Sequence, residues 1–292
     1  MKKDYLEYVA ALLLFGFNGI VASRIALSSY EIVLLRAGIG CIVLAALFAL
    51  RRRRLTCLQH RRELLDIALS GAAMGASWMC LYEGYVRIGV GMASLLYYCG
   101  PVIVMALSPL LFHERLTWPK ITGFAAVFAG VLLINGSVRG SAMDAGGLLC
   151  GAASAVLYAV MVTTNKRAKH ITGLENALLQ IFFGFLTTAV FVGIRERGFA
   201  IDIRPGDWAW IVLLGAVNTG LGCYGYFSSI GQLPVQTVAV CGYLEPLAAV
   251  VFAAVLLHET MQPLQALGAV LILGGAAGAE CVPMLLQKHQ KC

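Results

Sequence analysis

Charged residues are scarce in this sequence. Asp, Glu, Lys and Arg make up 13% of the 292 residues, whereas roughly a quarter is usual in soluble domains. Hydrophobic residues reach 60%, against roughly 45–50% in such domains, and the mean hydropathy is +0.81. The cores of two soluble domains could not bury this much apolar surface. The composition therefore indicates a membrane protein.

Several motifs of enzymes and metalloproteins are also missing. The nine cysteines include no C-x-x-C pair, which argues against zinc and a disulfide framework. No Walker motif or convincing nucleophile–base pair is present, and "HERLT" and "HETMQ" lack the second histidine of a zinc protease. "GLGCYG" matches G-x-G-x-x-G only inside an apolar stretch with no strand before it. We expect no catalytic residue, no cofactor and no metal.

What the sequence does have is long apolar runs. Helices of about 17–25 residues span a bilayer, and the runs are continuous rather than alternating, which argues against a β-barrel. We predict an all-α membrane protein with ten transmembrane helices, at 5–27, 31–50, 64–86, 90–112, 118–136, 146–165, 174–194, 208–230, 235–257 and 260–281.

The basic residues predict the orientation. If the N-terminus is cytoplasmic, fifteen of the 22 Lys and Arg residues fall in inside loops and five in outside loops, as the positive-inside rule requires. The net charge of +7 thus comes from basic residues in loops that set the membrane orientation, and it does not indicate nucleic-acid binding. The first apolar stretch lacks a clear cleavage site, so we expect an uncleaved anchor. Both termini are predicted in the cytoplasm.

The second half of the chain repeats the first. "EIVLLRAGIG" (31–40) matches "ENALLQIFFG" (175–184), and "SGAAMGASWMCLY" (70–82) matches "LGAVNTGLGCYGY" (214–226). Further on, a proline and then His-Glu recur 145 positions apart, and Gly123 and Gly130 fall on Gly268 and Gly275. Because each copy holds five predicted spans, an odd number, the second must enter the membrane upside down.

Opposite charge bias supports this inversion. "RRRRLTCLQHRR" is strongly basic, whereas its counterpart "RERGFAIDIRPGD" balances three arginines with three acids. We predict two inverted five-helix repeats, 1–140 and 141–292, around a central cavity. Inverted repeats that exchange conformations about a central site are a device of secondary transporters.

The same features resemble a known family. The ten-helix layout, Arg36 early in helix 2 and the "P…HE…L…G" end of each half are similar to EamA-type transporters of the drug/metabolite transporter superfamily. The stretch 244–276 is close to that family's C-terminal pattern. The resemblance implies a bundle of ten helices that surrounds a central cavity. It also implies that the protein exports amino acids or other small metabolites. The first half departs from the second in having Gly100 where the second has Glu245.

Glu245 and two prolines are the most unusual residues within spans. A charged acid at a helix centre costs about 2.5–3.5 kcal/mol, so Glu245 should face the bundle interior. It could be a protonated structural acid, a ligand for a cationic group or a proton-coupling site. Pro101 and Pro246 lie at equivalent mid-span positions, where proline kinks a helix. They are candidate gating kinks or packing kinks.

Other candidates supply polar tips to a cavity. Five charged residues map to the outer helix ends: Arg24, Glu31, Arg36, Glu83 and Arg87. They could form an interfacial charge network, or an outer vestibule that binds a substrate carboxylate or acts as an outer gate, with Arg36 the deepest. The predicted cavity set, which shares polar or aromatic side chains within spans, is Asn18, Arg36, Trp78, Tyr82, Tyr97, Tyr98, Tyr158, Asn218, Tyr243 and Glu245.

Two further groups have structural interpretations. Glu114 and Glu259 precede predicted helices, so we interpret them as capping residues favoured by the helix dipole. Gly71/Gly75 and Gly147/Gly151 are small-xxx-small pairs that allow close helix packing.

The predicted function is export of a small metabolite, an amino acid or related compound, across a bacterial plasma (inner) membrane by alternating access. The partners would be the solute, the bilayer and protons as a candidate coupling ion, with the chain a monomer or homodimer. An importer or facilitative carrier is the alternative within transport. A membrane-embedded enzyme or lipid-handling protein is the alternative from another class.

Overall fold

The computed structural model describes residues 2–52, 55–88, 90–135, 144–195, 201–256 and 263–289. These residues form helices and loops, with no strand among them. In the first half the helices are α1 (Lys2–Gly16), α2 (Asn18–Ala22), α3 (Ser29–Leu50), α4 (Arg61–Ile88), α5 (Val90–Tyr97), α6 (Gly100–Phe112) and α7 (Trp118–Asn135).

In the second half they are α8 (Ala145–Asn165), α9 (Gly173–Arg195), α10 (Trp208–Val212), α11 (Gly222–Ile230), α12 (Val235–Cys241), α13 (Leu244–Leu256) and α14 (Pro263–His289). A 3₁₀ turn (Pro205–Asp207) precedes α10, and a π-helical segment (Leu213–Leu221) joins α10 to α11.

Seven helical stretches of the described chain are long and apolar enough to cross a membrane. They are Lys3–Ala22, Ser29–Leu50, Arg61–Ile88, Ala145–Asn165, Gly173–Arg195, Pro205–Ile230 and Val235–Leu256. Shorter apolar helices cover Gly100–Phe112, Trp118–Leu133 and Ala266–Ala276. The protein is therefore an all-helical, multi-pass membrane protein. The ten-span count requires the three shorter stretches to cross as well.

Several predicted spans are interrupted rather than continuous. The first breaks at Phe17, between α1 and α2, and the fourth and ninth break just before Pro101 and Pro246. In the eighth, the hydroxyl of Thr219 donates to the carbonyl of Leu214, five residues back, at 2.9 Å within the π-helical segment. Such segments occur often at functional sites. The apolar runs of the sequence predicted the positions of these spans but not the positions of their breaks.

The glycine pairs of α7 and α14 allow the two helices to touch. A Cβ atom on Gly123 would lie 2.5 Å from the carbonyl oxygen of Gly275, and one on Gly130 would lie 2.5 Å from that of Gly268. Only glycine permits so close an approach. The contacts run in opposite order along the two helices, so α7 and α14 are antiparallel.

A second glycine interface joins α4 to α9. A Cβ on Gly71 would lie 2.6 Å from the carbonyl oxygen of Gln180, and one on Gly75 would lie 2.5 Å from that of Gly184. This order makes the two helices parallel, and it confirms the packing role predicted for Gly71 and Gly75. The other predicted pair, Gly147 and Gly151, lies against side chains. Gly147 faces Arg87 and Ile88 at the end of α4, and Gly151 faces Leu96 of α5.

The corresponding helices of the other half pack in the same way. On α3, a Cβ at Gly40 would lie 3.0 Å from the methyl group of Thr219 and 3.3 Å from the carbonyl oxygen of Gly215. Thus α3 packs on the π-helical segment as α9 packs on α4. Each half therefore places its second helix against the third helix of the other half.

Candidate functional site

A cavity of about 710 Å³ lies inside the helix bundle, within the usual size range of small-molecule sites. Its wall is formed by α1 to α5, α8, the π-helical segment, α11 and α13, so both halves contribute. The predicted residues that line it are Asn18, Arg36, Trp78, Tyr82, Tyr97, Tyr98, Tyr158, Glu245 and Pro246.

Arg36 supplies positive charge to this wall. It lies two turns into α3 and is only 8% exposed. Its guanidinium stacks over the ring of Trp78, with Cζ 4.3 Å from the ring centroid, an arrangement that a planar cation favours. The Arg36 Nε atom is buried without a hydrogen-bond partner among the described residues. A buried guanidinium with an unused donor is suited to bind a carboxylate.

Glu245 supplies negative charge to the same wall. It lies in the first turn of α13, where Pro246 costs no hydrogen bond because the first helical N–H groups have no partner within the helix. The carboxyl is half-buried and lies within electrostatic range of Arg36, Tyr97 and Tyr98. Glu245 thus lies in the first turn of a helix and lines the cavity, while its chemical role stays a prediction.

Asn218 holds a cavity residue in place without lining the cavity itself. Its Nδ2 donates to the carbonyl of Leu14 and to Oδ1 of Asn18, both at 3.1 Å. These bonds bridge the π-helical segment and the break between α1 and α2. They satisfy a carbonyl that the break exposes, as backbone groups within a membrane require.

Tyr243 and Pro101 also lie behind the wall. Tyr243 is fully buried, and its hydroxyl donates to the carbonyl of Tyr98 at 2.7 Å. Pro101 is buried in the first turn of α6, beside Gly100, whose missing side chain leaves room for the ring of Tyr158. Of the two prolines, therefore, Pro246 touches the cavity, and the gating role of both stays a prediction.

Some lining residues were not predicted. Tyr85, Ser94, Thr219 and Tyr226 contribute hydroxyls to the wall, and Cys223 contributes a thiol. Tyr85 follows Tyr82 by three residues, so a helical projection from the predicted tyrosine could have found it. Thr219 could not have been found in this way because its direction depends on the π-helical segment.

The cavity reaches the surface at one end of the bundle. Ser23, Leu27 and Ser29, around the turn between α2 and α3, line it there, and Ser23 is exposed. We name this the open end. The opposite end, where α1 begins and α8 finishes, is named the closed end.

Aromatic side chains seal the cavity toward the closed end. Tyr8 is fully buried, and its hydroxyl donates to the carbonyl of Val238 at 2.9 Å. The hydroxyls of Tyr158 and Tyr226 are 3.4 Å apart, and the rings of Tyr8 and Tyr226 have centroids 5.3 Å apart. This cluster joins α1, α8, α11 and α12 below the cavity.

Two charged residues hold the loop between α11 and α12 at the closed end. The Lys166 ammonium donates to the carbonyls of Ile230, at 2.7 Å, and of Leu233. Burial lowers the pKa of Lys166 from 10.5 to about 8. The Glu114 carboxylate accepts from the backbone N–H groups of Val235 and Gln236, at 2.7 and 3.1 Å.

Glu114 is therefore a capping residue, as predicted, but for a different helix. It caps the start of α12 rather than α7, the helix that follows it in sequence. Sequence proximity suggested the nearer helix, whereas the fold brings α12 closer. Glu259, the other predicted cap, lies outside the described residues.

A further polar cluster at the closed end was not predicted. The rings of His60 and His170 stack with centroids 4.2 Å apart, and His170 Nδ1 lies 2.5 Å from the carboxylate of Glu63. Their possible ligand atoms lie within 4.8 Å of one another. The same carboxylate accepts from the backbone N–H groups of Lys169 and Ile171. The cluster thus ties α4 to the loop between α8 and α9.

The predicted charge network at the open end forms around Glu83. Its carboxylate accepts from the hydroxyl of Tyr30 and, at 2.7 Å each, from Arg87 and Arg195. Arg87 also donates to Asp144 at 3.2 Å, and this bond lowers the pKa of Asp144 below its ordinary value. The network joins α3, α4, α8 and α9 beside the cavity mouth.

The other predicted members have different positions. Glu31 forms a capping box with Ser28 at the start of α3, and Arg24 is exposed. Arg36 lies deeper, on the cavity wall. Sequence position alone grouped these charges because all of them fall near the same helix ends.

Comparison with known proteins identifies the family of this chain. The model of the EamA-like transporter family matches residues 5–136 and 145–279. The chain belongs to the EamA-like transporter family. Known members with similar sequences are named as transporters rather than enzymes, which confirms the resemblance of the sequence to this family.

Three relatives of this EamA-like chain cover most of its length. An uncharacterized transporter, YxxF of Bacillus subtilis, is 23% identical over 93% of this chain and 88% of its own. A "probable terminal-alkyne amino-acid exporter" of Streptantibioticus cattleyicolor is 28% identical over 89% of this chain and 83% of its own. The threonine/homoserine exporter RhtA of Escherichia coli is 24% identical over 84% and 79%.

A solved crystal structure has the same fold. It superposes on this EamA-like chain with a TM-score of 0.83 and covers 96% of this chain and 98% of its own, at 21% identity. The architecture of the helix bundle is therefore shared with a protein of known structure.

Proposed function

We propose that this protein is a secondary transporter that exports a small metabolite, an amino acid or a related compound, by alternating access. The observation that carries the proposal is the cavity itself: it reaches one end of the bundle, and Arg36 and Glu245 lie on its wall. The exporter names of several EamA-like relatives support the direction and the class of solute.

The helix packing supports two inverted five-span repeats as the machinery. Gly123 and Gly130 correspond to Gly268 and Gly275, and each contacts the counterpart of the other. A twofold axis in the membrane plane would produce this exchange. Because α7 and α14 are equivalent helices and run antiparallel, the packing favours inversion over parallel duplication.

The chemistry of the cavity suits a zwitterion that carries an apolar side chain. The unused Nε donor of Arg36 would take a carboxylate, and the carboxyl of Glu245 would take an ammonium. Tyr82, Tyr97 and Tyr158 offer aromatic faces to the remainder of the solute. We further propose that Glu245 takes up a proton in exchange for the solute, which would make transport proton-coupled.

Orientation follows from the basic loops. Arg51, Arg52, Arg61 and Arg62 are exposed at the closed end, and Lys and Arg prefer the cytoplasmic side. We therefore place the protein in a bacterial plasma membrane with both termini cytoplasmic. The described conformation then opens outward.

Counterflow tests this proposal. Purified protein would be reconstituted in liposomes loaded with one unlabelled amino acid, and uptake of the same labelled amino acid would be followed. We expect transient accumulation that empty liposomes lack, for at least one member of a panel of amino acids and amines. Product formation without flux would contradict the proposal and favour an enzyme.

A further inference from the structure

The sequence repeat makes the open and closed ends comparable position by position. In the matched stretches, Ile32 corresponds to Asn176 and Arg36 to Gln180, while Ser70 corresponds to Leu214. Ile32, Arg36 and Leu214 all line the open cavity. Their counterparts should therefore occupy the equivalent place at the other end of the bundle.

Those counterparts lie together in a buried polar cluster. Gln180 Nε2 donates to the hydroxyl of Ser70 at 2.7 Å, and Asn165 Nδ2 donates to Gln180 Oε1 at 3.1 Å. Asn165 and Asn176 exchange two amide hydrogen bonds, of 2.9 and 3.2 Å. The Ser70 hydroxyl donates onward to the carbonyl of Met161 at 2.6 Å.

The cluster is sealed from solvent in this conformation. Ser70 and Gln180 have no exposed surface, and Asn165 and Asn176 are 1% and 2% exposed. It fills the junction of α4, α8 and α9 near the closed end. At the equivalent junction of the other end, residues of α1–α2, α3 and the π-helical segment line the open cavity.

Burial of three amides and a hydroxyl in a membrane protein calls for a reason. Buried polar groups cost free energy unless all are paired, and an apolar junction would seal this end with less risk. Neutral hydrogen bonds of this kind can, however, be exchanged for bonds to water at a small net cost. Such a surface suits a junction that opens and closes, whereas a permanently closed junction would not need it.

We propose that Ser70, Asn165, Asn176 and Gln180 line the substrate pathway at the closed end and contact the solute when the bundle opens there. This inference rests on the proposed function. Because Gln180 stands where the first half has Arg36, this part of the pathway binds through neutral hydrogen bonds. It would accept the polar groups of a zwitterion without charge attraction.

Thiol labelling from each side of the membrane tests the proposal. In a variant whose nine cysteines are replaced by serine or alanine and which retains counterflow, Asn176→Cys and Ser70→Cys would be introduced singly. The matched control is Ala177→Cys, since Ala177 neighbours Asn176 and is fully buried. Ile32→Cys reports on the open end. A membrane-impermeant methanethiosulfonate is applied to inside-out vesicles and, separately, to intact cells.

We expect Asn176→Cys and Ser70→Cys to react in inside-out vesicles at least tenfold faster than Ala177→Cys, and to lose counterflow once labelled. Ile32→Cys should react in intact cells. Ser70→Cys replaces only the hydroxyl oxygen by sulfur, so this variant should fold and remains informative if Asn176→Cys does not.

The inference is overturned if both thiols react as slowly as Ala177→Cys from either side while counterflow persists. The proposed function fails separately if no solute of the panel shows counterflow. In that case, fast labelling of Asn176→Cys in inside-out vesicles would still support an opening at this end.

Discussion

At the scale of single residues, Arg36 has the most unusual surroundings. A guanidinium within a membrane span is costly, yet Arg36 is 8% exposed and its Nε donor is unused. Stacking on Trp78 offsets part of this cost. Glu245 lies within electrostatic range of the guanidinium, and in the proposed function the solute carboxylate would be a further partner for the free donor.

Replacement of Arg36 by lysine tests this account. Lysine keeps the charge but loses the planar fork and the stacking on Trp78. We expect Arg36→Lys to raise the half-saturation concentration of an amino-acid solute about tenfold or more, since hydrogen bonds to charged groups contribute about 1.5–3 kcal/mol. The measurement is counterflow against solute concentration.

The control for this variant is a solute whose carboxylate is converted to an amide. For that solute, wild type and Arg36→Lys should differ little. An equal loss for both solutes would mean that Arg36 serves the fold rather than the carboxylate.

Glu245→Gln separates proton coupling from solute binding. The amide keeps the size and hydrogen-bonding capacity of the acid but cannot exchange a proton. We expect counterflow at equal pH on both sides to persist at saturating solute, since the amide oxygen still accepts from an ammonium, while the acceleration of net transport by an imposed pH gradient disappears. Acceleration that survives in Glu245→Gln liposomes would refute the coupling role.

Arg36, Glu245 and several predicted aromatic residues line the cavity, but the sequence did not indicate the contacts of the residues behind the wall. Glu245 and Arg36 stand out because charge is costly within a span, and a charged residue in an apolar run can be recognised from the sequence alone. By contrast, Asn218 and Tyr243 bond to backbone carbonyls more than 140 residues away. Their role behind the wall depends on which helices meet, which composition does not specify.

At the scale of elements, the contact between α7 and α14 depends on glycine. A Cβ on Gly275 would lie 2.5 Å from the carbonyl oxygen of Gly123, whereas one on Gly274 would meet nothing within 4 Å. We expect Gly275→Ala to destabilise the protein by about 1–3 kcal/mol through overpacking. Thermal unfolding in detergent would show this as a lower midpoint.

Gly274→Ala is the matched control, one position along the same helix. Its midpoint should stay unchanged or rise slightly, because alanine is the better helix former. If the two variants unfold at the same temperature, the close contact between α7 and α14 does not contribute to stability.

The loop between α11 and α12 gives the closed end a pH dependence. Lys166 has its pKa lowered to about 8 by burial among carbonyls, and opening would return it toward the ordinary 10.5. The open form then binds more protons, so a rise in pH disfavours opening. Between pH 7 and 9 we expect opening to fall by up to about tenfold.

Labelling of Asn176→Cys in inside-out vesicles measures this effect, after correction for the ionisation of the thiol with a free cysteine. Lys166→Met should remove the pH dependence. An opening rate that rises with pH in the parent would show that closure does not lower the pKa of Lys166.

The positions of most helices were predictable to within a few residues, whereas the break at Phe17 and the π-helical segment were not. Apolar length located the stretches that became α3, α8 and α9, because the bilayer imposes that length. Near the break at Phe17, Asn218 of another segment donates to the carbonyl of Leu14, and within the π-helical segment Thr219 donates to the carbonyl of Leu214. Prolines located two of the breaks, since proline favours the first turn of a helix.

At the scale of the whole molecule, the two halves exchange neighbours in a symmetric way. Gly71 packs on Gly184 of α9, and Gly40 packs on Gly215 of the π-helical segment, which are equivalent contacts under the sequence repeat. If the halves are inverted repeats, such a bundle would have a second conformation of similar energy, in which the halves exchange shapes. One open and one closed end would then be expected of each state.

This symmetry requires the segment between α7 and α8 to lie on the opposite side of the membrane from both termini. We expect a green fluorescent protein fused after the C-terminus to fluoresce, which requires the cytoplasm. Alkaline phosphatase inserted between α7 and α8 should be active, which requires the outside. The loop between α3 and α4, rich in arginine, serves as the cytoplasmic control, where the phosphatase should be inactive. If the inserted phosphatase is inactive while the fluorescent fusion is bright, the halves hold an even number of crossings. Inverted repeats would then be impossible, and α7 and α14 could not be symmetry-related partners.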